Sequence, residues 1–119
     1  MITGIKTISE YENDILIKNG IWIWEEKYGE HKEWYSNGKL KSIKEYHRDK
    51  LIGESKEYYE TGEIKERVEY SSNDINYYAS VNKYYKNGNL EETYSCLLKN
   101  NKRIYDGYIT KYYKNNVIN

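Results

Sequence analysis

The sequence has no proline and no phenylalanine, and only one cysteine and one methionine, in 119 residues. With Cys96 alone no intrachain disulfide can form, which fits a reducing compartment. Net charge is missing too, since 19 basic residues balance 19 acidic ones. That balance argues against a general nucleic-acid binder, which needs a basic face to displace counterions from phosphates. No apolar run approaches the roughly 18–20 residues of a membrane-spanning helix. The start, Met1-Ile2-Thr3-Gly4-Ile5-Lys6, carries no apolar signal core, so a cytoplasmic location is expected.

Apolar residues are also scarce, at 38%, but 16 of them are Tyr. Tyrosine buries a large ring while its hydroxyl stays wet or hydrogen-bonded. The core is therefore expected to be thin and partly solvated. Disorder is rejected, because disordered chains are poor in aromatic residues and usually carry net charge, whereas aromatics here reach 16%. The length suits one domain.

A repeat settles the architecture. Four aromatic pairs recur, Trp34-Tyr35, Tyr58-Tyr59, Tyr84-Tyr85 and Tyr112-Tyr113, at spacings of 24, 26 and 28 residues. Each is followed by turn residues: Ser36-Asn37-Gly38, Glu60-Thr61-Gly62, Lys86-Asn87-Gly88 and Lys114-Asn115-Asn116. An aliphatic then falls at one fixed offset, at Leu40, Ile64, Leu90 and Ile118. A glycine precedes the pair at Gly29, Gly53 and Gly107, with Ala79 in the third copy.

Asn-Gly between alternating segments is a strong hairpin signal, and a two-residue type I′ turn needs positive φ at both positions. Placing Asn37-Gly38 at such a turn sets Tyr35 opposite Leu40 and Trp34 opposite Lys41. The same register pairs Tyr59 with Ile64, Tyr85 with Leu90 and Tyr113 with Ile118. One face would then hold these pairs with Tyr46, Val68, Tyr70, Tyr94 and Cys96 as the core. Ser42, Lys44, Glu66 and Glu92 share its parity, so either bulges shift the register or the core is wet near its middle. The other face would carry Trp34, Tyr58, Tyr84 and Tyr112 among charges. The expected fold is all-β, an elongated antiparallel meander of repeated hairpins.

Residues 1–28 are out of phase. Ile15 to Trp24 reads as a further tight hairpin around Asn19-Gly20, with Ile17 opposite Trp22, capping one end of the array. Repeats are then expected at 29–52, 53–78, 79–106 and 107–119, within a single structural domain.

The stretch from Gly29 to Lys41, with its Trp34-Tyr35 pair, Asn37-Gly38 turn and Lys39-Leu40-Lys41 strand, resembles the bacterial MORN-repeat variant. Gly53 to Lys65 matches closely. Ala79 and Asn116 depart from the glycines of the pattern. The resemblance covers about residues 29–119. It implies curled antiparallel sheets that serve mainly as interaction modules, and some members are labelled antitoxins of the YwqK-like group. Other members, within larger proteins, are tied to membranes or lipid kinases. The repeat motif supplies no catalytic residues.

No spacing supports catalysis or a cofactor. His31, His47 and the distant Cys96 lack metal-ligand spacing. The abundant carboxylates alternate with Lys and read as solvated cross-strand pairs. The feature with functional content is the row Trp34, Tyr58, Tyr84 and Tyr112, because Trp and Tyr are enriched at binding hot spots. A non-enzymatic protein-binding module is expected, antitoxin- or immunity-like, with another protein, such as a toxin, as partner. Self-association through open sheet edges is the alternative, and membrane-lipid association is a weaker one.

Overall fold

In a computed structural model, described over residues 4–73, 76–105 and 110–112, ten strands form one antiparallel sheet. They are β1 (Ile5–Glu12), β2 (Ile15–Ile23), β3 (Glu26–Trp34), β4 (Leu40–His47), β5 (Lys50–Tyr58), β6 (Ile64–Ser72), β7 (Tyr77–Tyr84), β8 (Leu90–Lys99), β9 (Lys102–Tyr105) and β10 (Thr110–Lys111). Strands β1 to β8 are neighbours in chain order, and the far edge of β8 is shared by β9 and β10. The all-β meander of hairpins is as expected. No described helix is long and apolar enough to cross a membrane.

The turns correct the expected register. The Tyr35 N–H donates to Lys39 O at 2.9 Å, and the Gly38 N–H donates to Tyr35 O at 3.0 Å. Gly38 has φ +87° while Ser36 and Asn37 stay at negative φ. This is a three-residue loop, a type I turn followed by a left-handed glycine, not a two-residue type I′ turn. Asn37 favours it because its side-chain oxygen accepts the Lys39 N–H at 2.9 Å. The loops ending in Gly62 and Gly88 repeat the backbone pattern. The extra loop residue sets Trp34 opposite Leu40, Tyr58 opposite Ile64 and Tyr84 opposite Leu90. The aliphatics thus join the first aromatic of each pair, not the second. The Tyr113–Ile118 pair and the last turn lie outside the described residues.

Type I′ turns occur at four further hairpins among the described residues. Positive φ at both positions marks Asn13-Asp14, Trp24-Glu25, Arg48-Asp49 and Asn100-Asn101. The hairpin expected at Asn19-Gly20 is absent; those residues lie within the continuous strand β2. Strand β3, rather than a turn, brings the next aromatic layer to Gly20. A Cβ there would stand 2.2 Å from Nδ1 of His31, so glycine is needed for close approach. The boundary drawn at residue 28 falls inside β3.

The leading glycines have a specific use. Gly29 and Gly53 have φ +68° and +63°, and the ladders β2–β3 and β4–β5 shift register beside them. These are bulges, which bend a strand and increase its twist. In the third copy Ala79 stands at this place, β6 and β7 pair without a shift, and Ala79 is fully buried.

The sheet curls toward one face. Val68, Ala79, Val81, Tyr94, Cys96 and Leu98 form the buried cluster there, with Tyr70 and Tyr77 packed against it. Tyr46, Val68, Tyr70, Tyr94 and Cys96 do share this inner face, as the parity indicated. The Asn101 amide closes the curl by donating to Asp49 O at 2.7 Å, and its oxygen accepts the Leu51 N–H at 3.4 Å.

Candidate functional site

Two transverse rows of paired residues define the two faces. On the inner face, ladder partners run Glu10, Lys18, Glu33, Ser42, Glu57, Glu66, Lys83, Glu92 and Lys111. Charges alternate along much of it: Lys18 meets Glu33 at 3.4 Å, Lys83 meets Glu92 at 3.6 Å, and Lys111 meets Glu92 at 3.8 Å. Lys44, the next inner-face residue on β4, meets Glu57 at 3.5 Å. The core is therefore wet along its middle, one of the two outcomes the parity left open. Bulges do shift the register beside the loops of the β3–β4, β5–β6 and β7–β8 hairpins, but they leave Ser42, Lys44, Glu66 and Glu92 on the inner face.

Sequence reasoning missed Arg103. It reaches across the inner face from β9 to the Glu66 carboxylate on β6, and its Nη1 donates to the Tyr94 hydroxyl oxygen at 2.9 Å. Glu66 and Tyr94 hold the guanidinium pKa above its ordinary value against the opposing effect of burial. Strand β9 carries none of the recurring motif positions, so only the lone Arg in an otherwise Lys-rich stretch could have signalled it.

The outer face carries the aromatic row. Trp34 with Leu40, Tyr58 with Ile64, and Tyr84 with Leu90 stand at the hairpin ends of successive repeats, each half-buried. Tyr112 is half-buried beyond them, its N–H donating to Glu91 O at 2.8 Å. Beside them the second row of ladder partners runs Lys32, Ile43, Lys56, Arg67, Asn82 and Thr93. The row thus joins rings and aliphatics to a basic stripe, with Glu30 and Glu54 next to Lys32, Lys56 and Arg67.

The second aromatic of each pair holds this row in place. The Tyr35 hydroxyl donates to the carbonyl of Tyr58, that of Tyr59 to the carbonyl of Tyr84, and that of Tyr85 to the carbonyl of Tyr112, at 2.6, 2.6 and 2.5 Å. Each repeat thereby fixes the backbone of the row's aromatic residue in the next. The loops add to it, with the Asn37 amide donating to Glu60 O at 2.9 Å and the Lys39 ammonium to Thr61 O at 3.0 Å.

The remaining singled-out residues have packing roles. His31 is wedged between the Trp22 and Tyr46 rings, at centroid distances of 4.4 and 5.1 Å, and its Nε2–H donates to Ile21 O at 2.9 Å. Burial lowers its pKa from the ordinary histidine value. His47 packs edge-on to Tyr28 at 5.2 Å. Cys96 lies in the core, where burial pushes its thiol pKa up. Among the described residues no group of three or more His, Cys, Asp or Glu could hold a metal ion. An open cleft of about 740 Å³ lies where the curl closes, lined by Arg48, Lys50, Asn73, Asn76, Tyr77 and Asn101 among others. Burial pushes the Tyr77 phenol up to about 12.

Residues 27–48 and 51–72 each match the model of the MORN repeat variant family. Among the described copies, the matched segments are the two whose leading glycine, Gly29 or Gly53, sits at a bulge. Comparison with curated proteins gives no match, nor does comparison with solved structures. The fold is a sheet of repeated hairpins, and the two matches suggest a repeat-based binding or scaffold module, a class whose members are generally non-enzymatic.

Proposed function

We propose that the chain is a non-enzymatic module that binds a protein partner through the outer row Trp34, Tyr58, Tyr84 and Tyr112. The observation that carries this reading is the alignment of that row. Rings and aliphatics from successive repeats stand in line on the outer face, next to Lys32, Lys56 and Arg67. Rigid aromatics at a low entropy cost, flanked by cations, suit a partner with an apolar ridge and acidic groups. The finer reading, an antitoxin- or immunity-like role in the cytoplasm with a toxic protein as partner, rests on the family resemblance.

The test replaces Tyr58 and Tyr84 together by Ala. Their carbonyls remain, so the hydroxyls of Tyr35 and Tyr59 keep their acceptors. The tagged wild type should capture one stoichiometric protein from native lysate, identified by mass spectrometry. The double variant, with unchanged circular dichroism, should lose it. Full capture by the folded variant would remove the row from the account.

A further inference from the structure

We infer that β1 is a dimerisation strand, which pairs antiparallel with β1 of a second copy about a two-fold axis at Ile8. The two edges of the sheet differ. One is divided between the four-residue β9 and the two-residue β10. The other is β1, eight residues long and exposed throughout. Its Ile5, Ile8 and Tyr11 are 50%, 37% and 64% exposed. A long open strand with apolar side chains templates pairing with another chain.

The hydrogen-bond parity fixes which groups are on offer. Gly4 O accepts the Trp24 N–H at 2.8 Å, so Gly4 faces β2. Antiparallel ladders alternate, so Lys6, Ile8 and Glu10 also direct their backbone groups to β2. Ile5, Thr7, Ser9 and Tyr11 direct theirs to the open edge.

The side chains then select one register and one occupant. With two copies crossing at Ile8, each Ile8 meets the other Ile8. Lys6 meets Glu10 twice, Ile5 meets Tyr11 twice, and Thr7 meets Ser9 through the free backbone groups. Apolar faces apolar and each charge faces its opposite, pairings that stabilise a ladder. Crossing at Thr7 would set Lys6 against Ile8. Crossing at Ser9 would set Ile8 against Glu10. Only the strand's own sequence supplies this two-fold complementarity. The result is a continuous sheet through both copies, with the aromatic rows left free, so the inference does not rest on the reading of the outer face.

Sedimentation equilibrium tests it. The wild type should be dimeric, and Thr7→Pro monomeric, because proline removes an N–H that faces the open edge and leaves the β1–β2 ladder whole. Lys6→Glu and Glu10→Lys should each weaken the dimer at least tenfold. An equimolar mixture of those two variants should restore it, since Glu then faces Lys at both crossings. A wild type that stays monomeric up to millimolar concentration would overturn the inference, and so would a dimer that persists in folded Thr7→Pro. If Thr7→Pro fails to fold, failure of the mixture to dimerise would overturn it. The Tyr58→Ala, Tyr84→Ala variant should remain dimeric, which separates this outcome from loss of the partner.

Discussion

A methyl group added to Gly20 would stand 2.2 Å from Nδ1 of His31, and the imidazole has no room to retreat. Trp22 and Tyr46 hold it edge-on from both sides, and Ile21 O binds its Nε2–H. Gly20→Ala should therefore cost about 1–3 kcal/mol, as overpacking does, measured by urea denaturation. The same wedge makes His31 a reporter of pH. Burial lowers its pKa below the ordinary 6.5. Just below that value the unfolded chain binds more protons than the folded one, so stability is full above it and falls as pH drops through the folded pKa. NMR titration of the imidazole should give a midpoint below 6.5, and His31→Phe should remove this part of the acid sensitivity. At this scale the sequence was partly readable. The lack of metal-ligand spacing around His31 and Cys96 was visible, whereas the rings that flank His31 were not. Gly20 misled, because Asn-Gly signals a turn equally well when glycine is needed only for a neighbour's ring.

A hairpin in this molecule is defined by its loop and by its bond to the next hairpin. Tyr59→Phe removes one hydroxyl and leaves the Tyr84 carbonyl without that donor, which should cost roughly 0.5–1.5 kcal/mol. Tyr35→Phe should cost about as much, whereas Tyr11→Phe, at an exposed ring on β1, should change stability little. Thermal unfolding of the three variants checks this. Strand existence was readable from the aromatic pairs, but register was not. Asn-Gly serves both a two-residue type I′ turn and the end of a three-residue loop, and the two differ by one residue of slip. The four real type I′ turns gave little warning. Trp24-Glu25 and Arg48-Asp49 carry no glycine, and their positive φ is imposed by the strands they join.

Across the whole molecule, residues far apart in the chain close the curl. Asn101 joins the β8–β9 turn to Asp49 and Leu51, and Arg103 joins β9 to Glu66. Asn101→Ala should loosen that closure and speed hydrogen exchange at the Leu51 amide, with the β2–β3 amides unaffected. Neither tie was readable, because both residues stand at positions that do not recur from copy to copy and meet partners that no periodicity connects. Where the third copy replaces glycine by Ala79, the departure was visible in the sequence. Its meaning, a strand without a bulge, needed the ladder.

The tyrosine hydroxyl that links one repeat to the next donates to a main-chain carbonyl. Its acceptor is therefore offered by any amino acid. A duplicated unit would arrive with its own donor and find an acceptor already waiting, with no compensating mutation in its neighbour. Copy number in such an array is free to drift by whole units, and lineages can lengthen or shorten the row while the joints between copies stay the same.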